Sequence, residues 1–285
     1  LTAFTSYYFR VATLNELGGP HYIAGAVGFT GTTLGPPGAG PFLGIGESSI
    51  TASWTLNGNP PGLEYILQGS TAADFTGTLL SSQTFALSAA FTGLALDTTY
   101  HFQVRPTTGP FVALGSTATL GAVPGAAAVA FPAVYQTSMS VAWTAGSNPA
   151  GTRFQAELAA SSDFQLSPQS SATAATSALF TGLNRNTTYY LRVASLNKNS
   201  VPSGYGAVSG SATLTNAPAA AAPVFGFVGP SSASVNWTAL NLVPVSDSCE
   251  GYVVTAATSA NFSGTRTEAR TSNPSATGLP VTGLL

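Results

Sequence analysis

The chain is built from an internal repeat, and the clearest sign of it is a tryptophan motif that occurs three times. The pattern Ser-x-Ser/Thr-x-x-Trp-Thr contains Trp54, Trp143 and Trp237. The intervals from residue 54 to 143 and from 143 to 237 are 89 and 94 residues. A phenylalanine stands twelve residues before each tryptophan, at Phe42, Phe131 and Phe225. A period of about 90 residues predicts a tandem array of small domains.

A second motif recurs out of step with the first. The pattern Leu-x-x-x-Thr-x-Tyr begins at Leu1, Leu94 and Leu183 and ends at Tyr7, Tyr100 and Tyr189. Each copy is followed by a Thr-Leu pair, at 33–34, 119–120 and 213–214, and then by a segment rich in proline, glycine and alanine. Such segments are typical of domain boundaries. The order of the motifs predicts a back half at 1–35, complete domains at 38–121 and 125–215, and a front half at 222–285.

Apolar and polar residues alternate with a period of two through both motifs, as in Met139-Ser-Val-Ala-Trp143. This pattern predicts half-buried β-strands, and no segment has a sustained helical period. Short strands separated by Gly, Pro, Asn and Ser clusters, at about 90 residues per unit, predict a two-sheet sandwich.

The paired motifs resemble the fibronectin type III domain, and the resemblance covers essentially the whole chain. It implies an all-β fold of tandem fibronectin type III-like sandwiches, with split half-domains at both ends. It places the three tryptophans on strand B, the aromatics Tyr65, Phe154 and Tyr252 on strand C, and the motif tyrosines at a tyrosine corner on strand F. The structural core is then expected to include Trp54, Trp143, Trp237, Tyr7, Tyr100, Tyr189, Leu94 and Leu183.

Repeated phrases such as Phe91-Thr-Gly-Leu94 and Ser161-Ser-Asp-Phe164 also resemble the low-charge fibronectin type III arrays of bacterial surface proteins. This narrower resemblance implies an extracellular location at the cell surface. The chain itself has no run of about 18 apolar residues that would predict a transmembrane segment.

The two incomplete halves are complementary, because the back half supplies strands F and G and the front half supplies strands A to E. The front half is expected to leave large apolar side chains without the F strand that should cover them. Three arrangements are open: a window of one continuous array, closure of the chain on itself, or strand sharing between molecules. Closure is disfavoured because two end-to-end sandwiches hold the ends apart. The expected joint residues are Leu1, Tyr7, Phe9 and Val11 on one side, and Trp237, Tyr252, Val254, Phe262 and Leu284 on the other.

The composition excludes several classes of function. Only 6% of the 285 residues are charged, and the formal net charge is −2. Eight scattered Lys and Arg residues cannot form the basic stripe that nucleic-acid binding needs. A weakly charged surface with 44% hydrophobic residues favours close association between molecules.

Few residues are suited to catalysis or to cofactor binding. Of the two histidines, His101 is expected on the outward side of strand F as a plain solvent-facing residue. Asp74 and Asp163 precede equivalent phenylalanines, so we interpret them as turn formers rather than acids. Asp247 with Glu250 offers only two carboxylates for calcium. We therefore predict no enzyme activity, no cofactor and no metal site.

Two kinds of modification are open. Cys249 is the single cysteine and lies in an insertion between Trp237 and Tyr252, so it is either a thiol that pairs between molecules or an unreactive, partly buried residue. Asn186, Asn236 and Asn261 each begin an Asn-x-Ser/Thr sequence and are candidate glycosylation sites.

These observations predict a non-enzymatic extracellular structural protein that forms a surface filament or adhesive fibre. Its main partner is expected to be itself, head to tail, and a cell-surface glycan or protein is a further candidate partner. The alternative is a spacer or binding array of a larger secreted enzyme, for example one acting on polysaccharide. A third class, a receptor ectodomain that binds a protein ligand, requires an exposed cluster of aromatic loop residues.

Overall fold

A computed structural model of the protein describes residues 2–23 and 28–284, and nearly all of its regular structure is β. The first four strands are β1 (Ser6–Phe9), β2 (Ala12–Leu14), β3 (Pro20–Tyr22) and β4 (Gly28–Gly31). The next eight are β5 (Gly38–Ala39), β6 (Gly44–Ile45), β7 (Ser49–Thr55), β8 (Tyr65–Ser70), β9 (Leu79–Thr84), β10 (Ser88–Thr92), β11 (Thr99–Pro106) and β12 (Val112–Ala118).

The second half of the chain continues in the same way. It begins with β13 (Gly125–Ala126), β14 (Ala133–Val134), β15 (Ser138–Thr144), β16 (Arg153–Ala159), β17 (Gln169–Thr173), β18 (Ser177–Thr181), β19 (Thr188–Leu196) and β20 (Ser209–Ala212). It ends with β21 (Ala219–Val228), β22 (Ser232–Thr238), β23 (Tyr252–Ala257), β24 (Arg266–Thr271) and β25 (Gly278–Thr282). Within the described residues the one helical element is a 3-10 turn at Val245–Asp247.

Strands β5 to β12 form the first sandwich. One sheet has the order β10-β7-β5, with β6 also paired to β7, and the other has the order β12-β11-β8-β9. Alternate residues of β11 face inward, so Tyr100, Phe102 and Val104 are buried in a core that also contains Trp54 and Tyr65. The period-two pattern of the sequence therefore corresponds to one buried and one outward face.

Strands β13 to β20 form the second sandwich with the same plan. One sheet joins β13, β14 and β18 to β15, and the other has the order β17-β16-β19-β20. Its core contains Trp143, Phe154, Leu183, Tyr189 and Leu191. The prediction of an all-β tandem sandwich fold is confirmed.

The terminal strands form partial versions of these sheets. β1 pairs with β4 and β2 pairs with β3, and we call this element the N-terminal hairpin. β21 to β25, the C-terminal piece, form a three-stranded sheet of order β21-β22-β25 and a two-stranded sheet of β23 and β24. In the described residues β23 has one neighbour, whereas the equivalent β8 and β16 each have two.

Contacts divide the chain into two compact units. The first is Leu1–Val123 with Gly146–Arg153 and Ser195–Gly204, and the second is Pro124–Ala145 with Phe154–Ala194 and Tyr205–Leu285. This division does not follow the motif boundaries, so the predicted four-part division stays a prediction.

Two asparagines hold the residues that precede each sandwich. The side chain of Asn59 exchanges two hydrogen bonds with the main chain of Gly35, both 2.9 Å long. Asn148 does the same with Ala122, both at 2.8 Å. Each asparagine lies five residues after the tryptophan of its sandwich. The same sequence position therefore holds the preceding linker in both sandwiches.

Candidate functional site

The candidate functional site consists of the apolar faces and strand edges that the N-terminal hairpin and the C-terminal piece leave uncovered. The hairpin retains the local geometry of a complete domain. The main-chain N–H of Thr2 donates to the Tyr7 hydroxyl at 2.6 Å, as Ala95 does to Tyr100 at 3.0 Å and Asn184 to Tyr189 at 2.9 Å. The tyrosine corner implied by the family resemblance is thus present in all three copies.

A threonine hydroxyl closes the same corner, and in the hairpin the position of that threonine is shifted by one residue. Thr119 accepts the N–H of Thr98 at 3.0 Å and donates to the carbonyl of Ala95 at 2.7 Å. In the hairpin these bonds are made by Thr32, with lengths of 3.0 and 2.6 Å to Thr5 and Thr2, although it is Thr33 that stands in the Thr-Leu pair. The threonine that closes the hairpin corner therefore lies one residue before the Thr-Leu pair.

The apolar side chains of the hairpin are far more exposed than the equivalent side chains of the first sandwich. Phe9 and Val11 are 53% and 56% exposed, whereas the equivalent Phe102 and Val104 of the first sandwich are 1% and 0% exposed. Tyr7 is half-buried. Leu1, the remaining predicted residue on this side of the joint, lies outside the described residues. Two large inward-type side chains are therefore available for burial against another surface.

The C-terminal piece covers part of its core by itself, contrary to expectation. Trp237 and Tyr252 were expected to lack cover, but both are buried, with ring centroids 4.9 Å apart. The Tyr252 hydroxyl accepts the N–H of Leu240 at 2.8 Å and donates to the carbonyl of Pro274 at 3.1 Å. Cys249 packs against the same two rings. The insertion after Trp237 thus folds back over the aromatic pair.

Other predicted joint residues remain accessible. Val254 is half-buried at the edge of this small core, and Phe262 is 51% exposed. Phe225 is 58% exposed, although its counterpart Phe42 packs against Phe102 with ring centroids 5.2 Å apart. Phe225 was noted for its spacing but was not predicted as a joint residue.

Leu284, which follows β25, forms the same main-chain hydrogen bond as the motif leucines that follow β10 and β18. Its N–H donates to the carbonyl of Ser231 at 2.9 Å, as Leu94 donates to Ser48 and Leu183 to Thr137, each at 3.0 Å. Gly283 before it has a φ of 75°, a left-handed conformation that favours glycine. The Thr-Gly-Leu phrase therefore has a backbone cause that is common to all three copies.

The two aspartates interpreted as turn formers occupy tight turns. Asp74 Oδ1 accepts the N–H of Thr76 at 3.1 Å, and Asp163 Oδ1 accepts the N–H of Gln165 at 3.0 Å. Hydrogen bonds to the side chains of Thr76 and Ser161 lower the pKa of Asp74 and of Asp163 respectively. The residues that follow, Phe75 and Phe164, have φ values of 60° and 56°, and these turns hold them there.

A charged cluster on the outer face of the second sandwich was not predicted from the sequence. The guanidinium of Arg192 lies 2.7 Å from the buried carboxylate of Glu157, 4.2 Å from the ring centroid of Phe164 and 4.0 Å from that of Tyr205. Glu157 also accepts hydrogen bonds from the Tyr205 hydroxyl and from Gln155, both at 2.8 Å. In the first sandwich the same cross-strand positions hold Gln68 and Gln103, whose side chains are hydrogen-bonded at 2.8 Å.

The hydrogen bonds in this cluster set the ionisation of its carboxylate. Burial alone would raise the pKa of Glu157, but hydrogen bonds from Tyr205, Arg192 and Gln155, together with the charge of Arg192, lower it below its usual value. Burial and the bond to Glu157 raise the pKa of Tyr205. The arrangement is that of a paired, desolvated carboxylate held against strand β19.

The side chains of the three candidate glycosylation sites form hydrogen bonds, and that of Cys249 is buried. The side-chain amide of Asn186 donates to the carbonyl of Val245 and to the Ser248 hydroxyl, both at 3.2 Å. The Asn236 amide donates to the carbonyl of Pro223 at 3.3 Å, and Asn261 Oδ1 accepts the N–H of Ser263 at 3.0 Å. Cys249 is a free thiol and is buried. The roles of all four residues in modification stay predictions.

The other residues considered for catalysis or metal binding include His101 and Asp247. His101 is half-buried between the inward-facing Tyr100 and Phe102. Asp247 lies 3.8 Å from Arg185, an arrangement that favours an ion pair. Within residues 2–23 and 28–284, no group of three or more His, Cys, Asp or Glu side chains could hold a metal ion. In the same residues, no helix has the length and apolar character to cross a membrane.

The solved structures that are similar to this chain include two from chicken. The FN1–FN3 domains of chicken CNTN1 are 15% identical over 88% of this chain and 89% of that one, with a TM-score of 0.35. A segment of two fibronectin type III domains from chicken tenascin is 14% identical over 62% of this chain and 99% of that one, with a TM-score of 0.38. No protein-family model and no curated protein matches. The sheet order of the chain itself defines a tandem fibronectin type III-like fold.

Proposed function

We propose that this chain is a non-enzymatic, extracellular structural protein whose units join head to tail by completing a split β-sandwich. The observation that carries the proposal is the match between what the two terminal pieces lack and what they offer. The C-terminal piece has a strand, β23, with an unpaired edge in the described residues. The N-terminal hairpin is the kind of element that pairs with that edge in both complete sandwiches.

Strand addition of this kind satisfies main-chain and side-chain requirements together. Among the described strands one edge of β23 has no neighbour, so its main-chain groups are unpaired there, and an added strand pairs them in an antiparallel ladder. The added strand also brings Phe9 and Val11 over the small core of Trp237, Tyr252 and Val254. Burial of each large apolar side chain contributes about 1.5–3 kcal/mol. The joint is therefore expected to be stable without a disulfide or a metal.

The surface chemistry of the chain supports association rather than catalysis. With 6% charged residues, neighbouring molecules repel one another weakly. The linker residues Gly35 and Ala122 are each held by an asparagine, which restricts the motion of the linkers. A surface filament or adhesive fibre is the assembly that repeated head-to-tail joining produces.

Electron microscopy of the native material, combined with the mass of one denatured chain, tests the proposal. Filaments that dissolve to a chain near 28.6 kDa would indicate separate subunits that complete each other. Filaments that dissolve to a much heavier chain would indicate the same joints within one continuous array. A globular particle without filaments would overturn the proposal.

A further inference from the structure

The charged cluster of the second sandwich has counterparts that are divided between the two terminal pieces. Arg10 follows the corner residue Tyr7 by three positions, as Arg192 follows Tyr189. Tyr22 corresponds to Tyr205, because the N–H of the next residue donates to the matching valine in both places. These bonds join Ile23 to Val11 at 3.2 Å and Gly206 to Val193 at 2.8 Å.

The N-terminal hairpin already forms its share of such a cluster. The guanidinium of Arg10 lies 3.7 Å from the ring centroid of Tyr22. In the second sandwich Arg192 lies against two rings, Tyr205 and Phe164, and is paired with a carboxylate. Within the part of the chain that the structure describes, Arg10 therefore has one ring in place and lacks the second ring and the carboxylate.

The C-terminal piece contains a candidate for each missing part. Phe262 occupies the turn position of Phe164, with a φ of 58° against 56°. Phe164 is 5% exposed beneath Arg192, whereas Phe262 is 51% exposed. The uncovered ring is therefore at the position that the arginine covers in the second sandwich.

The carboxylate is present on the neighbouring strand. In the second sandwich Glu157 on β16 stands opposite Ser170 on β17. In the C-terminal piece the two residue types are exchanged, with Thr255 on β23 opposite Glu268 on β24. Glu268 accepts a hydrogen bond from the Thr255 hydroxyl at 3.3 Å and pairs with Arg270 at 3.0 Å. Adjacent strands are about 4.8 Å apart, so an arginine on a strand added beside β23 can reach across the Thr255 side chain and share this carboxylate.

We propose that the N-terminal hairpin of a second copy of this chain docks on β23 and places its Arg10 between its own Tyr22 and the first copy's Phe262, with Glu268 as counter-ion. This inference rests on the proposed function and specifies the partner surface and its register. The first sandwich has two glutamines at the corresponding strand positions, Gln68 and Gln103. The joint therefore reproduces the second sandwich and not the first.

The pairing of β8 with β11 gives the register at the joint. In the first sandwich Ser70 stands opposite His101, Gln68 opposite Gln103 and Ile66 opposite Arg105. Counted from Tyr100 and Tyr65, the corresponding pairs at the joint are Tyr8 with Ala257, Arg10 with Thr255, and Ala12 with Val253. This register directs Phe9 and Val11 inward.

Disulfide trapping between full-length chains tests the register. In a Cys249→Ala background, one chain carries Ala12→Cys and the other carries Val253→Cys, and the two are mixed under mild oxidation. We expect a product of doubled mass on a non-reducing gel. A mixture of Tyr8→Cys with Val253→Cys is the matched control and should give little product, because the two positions are four residues out of register.

The outcomes separate the register from the assembly itself. Product from the control mixture alone would overturn the proposed register while leaving strand sharing intact. No product from either mixture, with the chain monomeric in sedimentation, would overturn both the register and the proposed function.

A double-mutant cycle tests the charged cluster. Arg10→Met, which removes the charge but keeps an apolar stem, is expected to weaken self-association about tenfold, and Phe262→Leu by a smaller factor. The double variant should be weaker than wild type by less than the product of the two factors, because the two residues act on each other. Arg153→Met, at an exposed arginine outside the cluster, is the matched control and should have no effect.

Two results would overturn the cluster while the joint survives. One is unchanged association in Arg10→Met with the Ala12–Val253 disulfide still forming. The other is full additivity of Arg10→Met and Phe262→Leu, which would mean that the two side chains do not meet.

Discussion

The N-terminal hairpin and strands β11 and β12 of the first sandwich have the same local design in different surroundings. Both have the tyrosine corner and the threonine hydroxyl that closes it. In the first sandwich Phe102 and Val104 are buried against a facing sheet, whereas the equivalent Phe9 and Val11 are exposed. Local hydrogen bonding thus shapes the hairpin without a core, but burial of its apolar face requires a second surface.

The largest expected difference is in the effect of removing the inward phenylalanine. Phe102→Ala should lower the free energy of unfolding of the first sandwich by about 3–5 kcal/mol, because it leaves a cavity in a packed core. Phe9→Ala should leave the stability of the isolated chain nearly unchanged but strongly weaken self-association. Hydrogen exchange resolved by segment measures the first effect, and sedimentation measures the second. Equal losses of stability in the two variants would show that Phe9 already has a core around it.

A fall in pH should lower the stability of the second sandwich more than that of the first. The pKa of Glu157 is lowered in the folded chain, so its stabilisation is complete above the ordinary pKa of a glutamate and is lost as the pH falls through the folded value. The corresponding Gln68 and Gln103 do not titrate. Glu157→Gln should cost about 1–2 kcal/mol at neutral pH and reduce the acid sensitivity of the second sandwich.

Denaturation at pH 7 and at pH 3, with hydrogen exchange resolved by segment, measures this difference. Gln68→Ala is the control, since it alters the first sandwich without changing its charge. Equal acid sensitivity of the second sandwich with and without Glu157 would contradict the interpretation.

Removal of the tyrosine-corner hydroxyl should lower stability more in the second sandwich than in the N-terminal hairpin. Tyr189→Phe leaves the Asn184 N–H without its partner in a partly buried corner and should cost about 1 kcal/mol. Tyr7→Phe should cost less in the isolated chain, because the Thr2 N–H is exposed and regains water. Thermal unfolding and hydrogen exchange at the two N–H groups measure the difference. A larger loss from Tyr7→Phe would contradict the proposed contrast.

The smallest expected effect is a change in hydrogen exchange at Thr5, which should follow removal of the Thr32 hydroxyl but not of the Thr33 hydroxyl. Thr32→Val removes the hydroxyl that bonds Thr2 and Thr5, and it should speed hydrogen exchange at Thr5 about threefold to tenfold. Thr33→Val is the matched control and should leave exchange at Thr5 unchanged. The reverse result would restore the sequence alignment of Thr33 with Thr119 and Thr213.

The parts of the fold that depend on short-range patterns could be predicted from the sequence. Period-two alternation and the tryptophan motif predicted the strands, and the resemblance of the Leu-x-x-x-Thr-x-Tyr motif to the fibronectin type III domain implied the corner. The cluster around Arg192 was missed, because its members come from strands far apart in the sequence. A signal was present: an arginine three residues after the corner tyrosine, followed by a tyrosine 12 or 13 residues later, occurs at Arg10 and Arg192.

The exposure of the terminal residues could be predicted only in part. Phe9 and Val11 are exposed, as the lack of a facing sheet implies. The cover over Trp237 and Tyr252 was not foreseen, because it depends on how the insertion that contains Cys249 folds back. The conformation of a loop is set by the surface onto which it packs, and a single sequence does not show that surface.

The sequence by itself determined the strand pattern and the period of about 90 residues, since both follow from residue spacing along the chain. The tyrosine corner, which the family resemblance implied, depends on a hydrogen bond between residues only five apart. Only the tertiary structure decided which aromatic side chains are buried, which threonine closes the hairpin corner, and how the insertion covers the Trp237–Tyr252 pair. The physical reason is that burial and hydrogen-bond partners depend on which distant strands come together. Residue spacing limits those partners but does not choose among them.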